Sequence, residues 1–447
     1  MHLAPTPAQQ RLRAELRAYF RDLLPPGGPP DDAAEQRRLL RRIGADGLLG
    51  IGWPKEYGGQ GRGPDEQFVF FDEAYRADAP VSMVTLNTVG PTLMKYGTAR
   101  QKEYFLPRIL RGETVFAIGY TEPDAGTDLA SLRTRAVRDG ADWLIDGSKV
   151  FTSNAQNADW IWLACRTDPE AAKHRDISII LVPTDVPGFS WTPIETVGGL
   201  TTTATYYDAV RAPAANLVGE ENAGWGLITN QLNHERVALA AIGSQAEDFY
   251  EAALAHARTT DPDTGRRPAD QPWVRARLAE AHARLAATRL LNWRLVDDVG
   301  AGTLSPGDAS GVKFLGTESA VEVYRMCQEA VGETGLIRAG SPGAFGGGPA
   351  ADGELERMNR AAQINTFGGG VSEVQREILA MMRLGMRKGP RREPLRERSS
   401  ERSSERSPER SPERSRETGE AAAERTGAEA ASSSGAAAHG GQRGGER

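Results

Sequence analysis

The periodicity of the apolar residues changes twice along the chain, and this change constrains the fold more than any other feature. Up to about residue 117 the apolar side chains recur at helical spacing. Over residues 118–215 the period becomes two, with turn signals between the runs, and from about residue 222 the helical spacing returns. A doubly wound fold would mix α and β elements more finely. The order therefore predicts an α+β multidomain chain, with a helical domain, a β domain and a second helical domain.

Several short strands are expected in the central region. Residues 134–138 and 143–145 flank an Asp-Gly pair, which is a strong hairpin signal. Residues 160–165 and 177–182 are short apolar runs of the length typical of buried strands. These signals place most of the β structure between two helical regions.

The end of the chain differs from the rest in composition. Five four-residue units begin at Glu397 and read ERSS, ERSS, ERSP, ERSP and ERSR. A segment this polar cannot bury enough surface to offset the entropy of ordering, although Glu-Arg pairs could support a transient solvated helix. Arg-Ser repeats also occur in RNA-associated tails, but the alternating Glu cancels that charge, which favours a linker or solubilising tail. The expected domains are 1–117, 118–221, 222–388 and a disordered tail, 389–447.

Charge and composition exclude several classes of function. The chain has 447 residues with 54 Lys+Arg against 60 Asp+Glu, a net charge of −6, which argues against a nucleic-acid binder. Two cysteines and six histidines, far apart in the sequence, give neither a disulfide framework nor metal-ligand spacing. No run of 18 apolar residues or signal peptide is present, so we expect a cytoplasmic protein without a membrane span. The amphipathic N-terminal segment fits a docked helix, with a membrane-surface helix as the alternative.

Five segments, in order over residues 8–388, resemble sequence motifs of the acyl-CoA dehydrogenases. One alone would be weak, but five in series are specific. They are GWPKEYGG (52–59), AIGYTEPDAGTD (117–128), DGSKVFTSNA (146–155), VRAP with LVGE and GW (210–225), and GGGVSEVQR (368–376). The resemblance implies a helical N-terminal domain, a central β-barrel domain, a C-terminal four-helix bundle, bound FAD and a tetramer.

The implied reaction is α,β-dehydrogenation of an acyl-CoA thioester, which needs a carboxylate base in a dry cleft. In many family members that base comes just before the glycine of the GTSEIQR-like segment, at the position where this chain has Gly369. Other members carry it on the first helix of the C-terminal domain in an L-x-x-E-R pattern, which Leu232, Glu235 and Arg236 match. The resemblance therefore implies that Glu235 is the base, with Arg236 and Gly369 on the substrate side. The structural alternative is that Glu235 only pairs with Arg236 or a neighbouring helix.

The resemblance also implies FAD contacts at matching positions. Tyr120 and Thr121 match residues that meet the pyrimidine edge of the flavin, and Thr127 matches a hydroxyl near flavin and acyl-CoA. Phe151 stands where a tryptophan usually packs on the flavin. Ser153 stands where a threonine hydroxyl usually faces flavin N5.

Three further positions resemble the adenosine and diphosphate side of the FAD site. Arg258 matches an arginine that reaches FAD from a neighbouring subunit, although the usual R-x-x-F-G is missing. Glu329 replaces a glutamine, and a carboxylate near a pyrophosphate is unfavourable. Glu373 matches an adenosine-side polar residue.

Three functional interpretations follow. The first is an FAD-dependent acyl-CoA dehydrogenase that passes electrons to an electron-transfer flavoprotein, as a homotetramer. The second is a non-catalytic partner subunit in a heterotetramer with a related chain, sharing an FAD site. The third is a flavin enzyme of the same fold that acts on a carrier-protein thioester. Whether the acyl group is linear, branched or a steroid side chain is left open by the sequence.

Overall fold

The computed structural model describes residues 5–25, 32–234, 244–262, 264–346 and 353–386, with the side chains of residues 230 and 232–234 excepted. The chain divides into two compact units, Met1–Lys388 and Gly389–Arg447. The second unit lies wholly outside the described residues, and the predicted disordered tail, 389–447, therefore lies outside them too.

The N-terminal region is helical, as predicted, and its helices begin at residues suited to capping. Thr6 and Thr98 each accept a hydrogen bond from the backbone N–H three residues later, and the glutamine there bonds back to the cap. The first helix buries Leu12, Leu16 and Phe20, so it is docked on the domain. The elements are α1 (Pro7–Leu23), α2 (Ala33–Ala45), α3 (Pro64–Arg76), a π-helical turn (Val84–Val89), α4 (Gly90–Tyr96) and α5 (Ala99–Leu110).

The central region forms one eight-stranded sheet. Its strands are β1 (Phe116–Gly119), β2 (Arg135–Asp139), β3 (Asp142–Lys149), β4 (Trp160–Arg166), β5 (Ile177–Pro183), β6 (Phe189–Glu195), β7 (Thr201–Pro213) and β8 (Leu217–Val218). The order is β6-β7-β3-β2-β4-β5-β8, and β1 pairs in parallel with β4. The predicted hairpin is confirmed, because β2 and β3 pair antiparallel about a turn at Gly140, whose φ is +64°.

The two faces of the sheet bury different cores. Trp162 and Ala164 of β4 pack into the core that the N-terminal helices share with the sheet. The alternate residues Ile161, Leu163 and Cys165 pack into a second core on the opposite face. This alternation follows from the period of two in a strand, and it leaves the segment after β1 next to the helix-covered face.

The C-terminal region is helical again. The helices are α6 (Gly224–His234), α7 (Ala246–Arg258), α8 (Pro272–Gly300), α9 (Pro306–Val331), α10 (Glu354–Ala361) and α11 (Ser372–Met382). The long helix α9 packs against α7, α8 and α11, and with α7 and α8 it forms a separate apolar core. The order helical, β, helical confirms the predicted fold class. No helix within the described ranges is long and apolar enough to cross a membrane.

Candidate active site

The segment after β1 touches helix α6 through a chain of hydrogen bonds. Trp162 Nε1 donates to the hydroxyl oxygen of Tyr120 at 3.0 Å, and that hydroxyl donates to Oε1 of Gln231. Gln231 lies on α6 and is only 1% exposed. Tyr120, a predicted flavin contact, is therefore joined to the helix whose described part ends at His234.

Glu235 and Arg236 follow this helix in the sequence but lie outside the described residues, so their predicted roles have no structural account. Gln231 is four residues before Glu235. The structure thus brings the segment that contains Tyr120 against the helix that precedes the predicted base in the sequence.

A buried ion pair between Lys149 and Glu122 also holds the segment that contains Tyr120. Lys149 Nζ donates to Oε1 of Glu122 at 2.8 Å and to the carbonyl of Tyr120 at 3.1 Å. The carboxylate of Glu122 also accepts the backbone N–H groups of Arg133 and Thr134, at 2.6 and 2.8 Å. Desolvation opposes the charged form, but the charge and hydrogen bond of Lys149 outweigh it and hold the pKa of Glu122 below its usual value.

Lys149 and Glu122 were not among the predicted site residues. Each lies inside a motif that was recognised, Glu122 in TEPDAGTD and Lys149 in DGSKVF. A glutamate and a lysine in two such segments are a signal for a buried pair that sequence reasoning could have used.

Thr121 and Thr127 are the other two predicted FAD contacts in the 117–128 motif. Thr121 is half-buried, and its carbonyl accepts the N–H of Val150 at 2.8 Å. The following loop closes through paired backbone hydrogen bonds between Glu122 and Ala125, each 3.1 Å. Thr127 stands exposed in that loop, where its hydroxyl is open to a ligand.

The turn after β3 presents an aromatic ring to solvent. Phe151 has a φ of +57° and is 62% exposed. Left-handed backbone costs roughly 1–2 kcal/mol for a residue with a side chain. Thr152, in contrast, is buried and receives a hydrogen bond from Thr203. Phe151 therefore combines a strained backbone with a solvent-exposed ring.

Ser153 follows in the same turn. Its N–H donates to the carbonyl of Phe151 at 3.0 Å, and its Oγ lies 3.0 Å from Oγ1 of Thr202 on β7. The residue is exposed, so the hydroxyl can meet a ligand while keeping its protein contact.

The adenosine-side positions lie on the C-terminal helices. Arg258 is the exposed last residue of α7, and Glu373 is exposed in the first turn of α11. Glu329 on α9 is ion-paired to Arg277 at 2.7 Å and to Arg325 at 2.8 Å. These three residues therefore lie in the C-terminal helical region, whereas Tyr120 and Ser153 lie in the region of the central sheet.

Gly369 lies in the loop between α10 and α11. Its φ is +67°, and a Cβ built on it would meet nothing within 4 Å. Lys313 anchors this loop, donating to the carbonyls of Gly370 at 2.7 Å and Thr366 at 3.3 Å. Burial lowers the pKa of Lys313 to about 8. Space is therefore open around position 369, to which the resemblance assigns the base of other members.

The residues present fit the flavin of FAD. A flavin offers a flat ring system and carbonyl oxygens at its pyrimidine edge. The exposed ring of Phe151 suits a planar partner, and the exposed residue Ser153, whose hydroxyl also contacts Thr202, follows in the same turn. Nε2 of Gln231 is buried and has no hydrogen-bond partner among the described residues, which leaves a donor for a carbonyl oxygen.

Comparisons with known proteins agree with this architecture. The models of the N-terminal, middle and C-terminal domains of acyl-CoA dehydrogenases match residues 6–113, 117–210 and 222–384. Acyl-CoA dehydrogenase FadE26 of Mycobacterium tuberculosis is 49% identical over 404 residues, which cover 86% of this chain and 99% of the relative.

Two solved structures are similar over most of their length. One is described as the Tcur3481-Tcur3483 steroid ACAD, with 53% identity, a TM-score of 0.81 and coverage of 87% of this chain and 100% of the other. The second is the ChsE4-ChsE5 complex from Mycobacterium tuberculosis, with 48% identity, a TM-score of 0.80 and the same coverage. Since all three domains match in order and the relatives align along almost their whole length, this chain belongs to the acyl-CoA dehydrogenase family.

Proposed function

We propose that this chain removes the α-proton and the β-hydride of an acyl-CoA thioester at a site formed by the 120–122 segment, the 151–153 turn and Glu235. Members of the family are FAD-dependent oxidoreductases. The observation that carries the proposal is the hydrogen bond between Tyr120 and Gln231, which holds the 120–122 segment against the helix that precedes Glu235 in the sequence.

Each residue then has a role that suits its surroundings. FAD, when bound, supplies the acceptor for the hydride. Glu235 takes the α-proton, a role that needs a carboxylate in a water-poor cleft. The ring of Phe151 provides a flat packing surface, and the Ser153 hydroxyl provides a donor where negative charge develops. Arg236 and Gly369 line the substrate side, Gly369 by leaving room.

The base is tested by Glu235→Gln. This variant should keep bound FAD and lose dehydrogenation by several orders of magnitude, because the α-proton has no acceptor. The matched control is Glu251→Gln, an exposed glutamate on α7 that should behave as wild type. Near-normal turnover of Glu235→Gln would remove Glu235 from the mechanism.

We also propose a steroid-derived acyl-CoA as the substrate. The support is the similarity to the Tcur3481-Tcur3483 steroid ACAD. A panel of CoA thioesters with linear, branched and steroid side chains, assayed with an artificial electron acceptor, tests this directly. A carrier-protein thioester in the same panel tests the alternative substrate. Preference for short linear chains would reject the steroid assignment.

A related second subunit is proposed to complete the FAD site. Glu329 stands where the resemblance places a glutamine near the FAD diphosphate, and its carboxylate neutralises Arg277 and Arg325 instead. A diphosphate bound near Glu329 would find both arginines already paired with that carboxylate. We therefore expect this chain to bind the FAD diphosphate poorly in a homo-oligomer. The ChsE4-ChsE5 structure, a complex of two named chains, is consistent with such pairing.

Expression alone and with a related family member tests the partnership. The chain alone should be colourless or poorly loaded, and co-expression should give a yellow hetero-oligomer. A stoichiometrically FAD-loaded homotetramer from the chain alone would contradict the proposal.

The electron acceptor and location are further proposals. We propose that an electron-transfer flavoprotein re-oxidises the enzyme, which is tested by reduction of that purified protein in the presence of substrate.

A cytoplasmic location is proposed because Cys165 and Cys327 are free and buried, as suits a reducing compartment.

A further inference from the structure

Helix α6 is fixed tightly on the sheet at its start. A Cβ on Gly224 would lie 2.8 Å from the carbonyl oxygen of Ile177, so the helix begins in direct contact with β5. Leu227 and Ile228 are buried in the shared core. Gln231 comes next among the buried residues of this helix, and it is a polar residue on an apolar face.

The hydrogen bonds of Tyr120 fix the orientation of the Gln231 amide. Trp162 Nε1 can only donate, so the oxygen of Tyr120 accepts from it. The single hydrogen of that hydroxyl is then directed to Oε1 of Gln231. The carbonyl of the amide consequently faces Tyr120, and the NH₂ group faces the other way.

That NH₂ group has no acceptor within the described parts of the chain, although it is buried. Leaving a buried donor unsatisfied costs about 1–3 kcal/mol, and buried polar groups in native proteins are almost always paired. A leucine or methionine would fill the same place without this cost. The amide is therefore suited to a ligand that brings its own oxygen acceptor.

We propose that Nε2 of Gln231 donates a hydrogen bond to a carbonyl oxygen of a ligand bound beside Tyr120, and that Tyr120 and Trp162 hold the amide in that orientation. A buried neutral amide supplies no counter-charge for an anion that loses its water, so it suits an uncharged oxygen acceptor. Two ligands of the proposed reaction carry such an oxygen, the pyrimidine ring of FAD and the thioester of the acyl-CoA. The inference rests on the proposed function and adds a ligand-contacting residue to it.

Hydrogen bonding to the ligand should strengthen the whole chain of donors. Each bond from Trp162 to Tyr120 to Gln231 polarises the next, and burial increases the effect. Loss of the Tyr120 hydroxyl would free the amide to rotate and would leave Trp162 Nε1 unpaired. Tyr120 is therefore expected to act on the ligand through Gln231.

The test compares Gln231→Met with Gln231→Glu in the full chain, purified in its FAD-binding oligomer. Methionine keeps the length of the side chain and removes both polar atoms. Glutamate keeps the shape and the acceptor facing Tyr120, but as a carboxylate it cannot donate. Thr229→Ala is the matched control, because Thr229 is exposed on the same helix and bonds only backbone carbonyls of that helix in the described structure.

Two dissociation constants are measured, for FAD with the apo-oligomer and for an enoyl-CoA product with the FAD-loaded oligomer. Loss of one buried hydrogen bond should raise one of them by about 5- to 100-fold in both Gln231 variants. A rise for FAD identifies the flavin as the acceptor source, and a rise for enoyl-CoA identifies the thioester. Tyr120→Phe should raise the same constant by a smaller factor.

The proposal is overturned if both constants stay within twofold of wild type in folded Gln231→Glu or Gln231→Met protein. If neither Gln231 variant folds, the same two dissociation constants are measured for Tyr120→Phe. Wild-type values of both constants in that variant also contradict the proposal. The binding measurements do not depend on turnover. Failure of the wild type to oxidise any acyl-CoA would reject the proposed function and leave this test intact.

Discussion

Lys149 Nζ lies 2.8 Å from Oε1 of Glu122, and the two side chains are 0% and 7% exposed. The lysine reaches across from the end of β3 to the segment after β1, where it also binds the carbonyl of Tyr120. Because Glu122 uses its oxygens for two backbone N–H groups as well, the pair ties three stretches of chain together behind the proposed flavin edge.

Lys149→Met should destabilise the protein by about 3–5 kcal/mol, because it leaves the carboxylate of Glu122 buried without its counter-charge. Urea unfolding of the apo-protein measures this loss. Lys149→Met combined with Glu122→Leu should lose less, since no lone charge remains. Arg111→Ala, which breaks the exposed Arg111–Glu113 pair, is the surface control and should change stability by less than about 1 kcal/mol. A loss below 1 kcal/mol in Lys149→Met would show that the buried pair is not a stabilising link.

The stability contributed by Lys313 should depend on alkaline pH. Burial lowers the pKa of Lys313 to about 8, against an ordinary lysine value of about 10.4, and the nearby Glu318 only partly opposes this. Below pH 8 both the folded and unfolded states hold the proton, so the cost of the buried charge is present in full. Between about pH 8 and 10.4 the folded state releases the proton first, and stability rises with pH.

The free energy of unfolding of wild type relative to Lys313→Met should therefore increase from pH 8 to pH 10. Urea titrations of both proteins at four pH values in this range give the difference directly. A difference that is constant with pH, or that falls, would contradict a lowered pKa at Lys313.

The order of domains and the hairpin could be predicted from the sequence because they depend on local periodicity and turn residues. Gly140 after Asp139 is enough to place the turn between β2 and β3. Local periodicity and turn residues could not identify the pair of Lys149 and Glu122, since it joins residues 27 positions apart through packing of the sheet; only their positions within two recognised motifs pointed to it. The end of α11 at Met382 could not be predicted, because apolar spacing carries little information about helix ends.

The sequence alone could indicate only part of the predicted site. Tyr120 and Ser153 were placed by their motifs, but the contact of Tyr120 with Gln231 depends on how α6 docks. The ion pair of Glu329 with Arg277 likewise depends on the packing of α8 against α9, whereas Arg325 lies four residues before Glu329 on the same helix. The roles of Glu235 and Arg236 remain predictions.

Gly369→Ala should destabilise the loop before α11 by roughly 1–2 kcal/mol, because the φ of +67° is left-handed and a Cβ there is strained even in open space. Gly368→Ala is the matched control. Gly368 lacks the left-handed φ, and the nearest atom to its Cβ would be 3.6 Å away. Thermal unfolding of both variants measures the difference. Equal melting temperatures for the two would show that the loop adapts its backbone.

Ser153→Ala should slow reduction of the flavin by acyl-CoA by roughly 10- to 1,000-fold, the loss typical of one preorganised donor at a site of developing charge. The affinity for FAD should fall much less, since Tyr120 and Thr121 contribute other contacts. Thr202→Val is the matched control, because it removes the hydroxyl 3.0 Å from Ser153 Oγ and leaves Ser153 itself in place. That variant should slow reduction by a smaller factor, through looser orientation of Ser153. Stopped-flow bleaching of the flavin at saturating substrate gives the rates. A wild-type rate in Ser153→Ala would mean that the hydroxyl serves only its contact with Thr202, and that the 151–153 turn does not face the flavin.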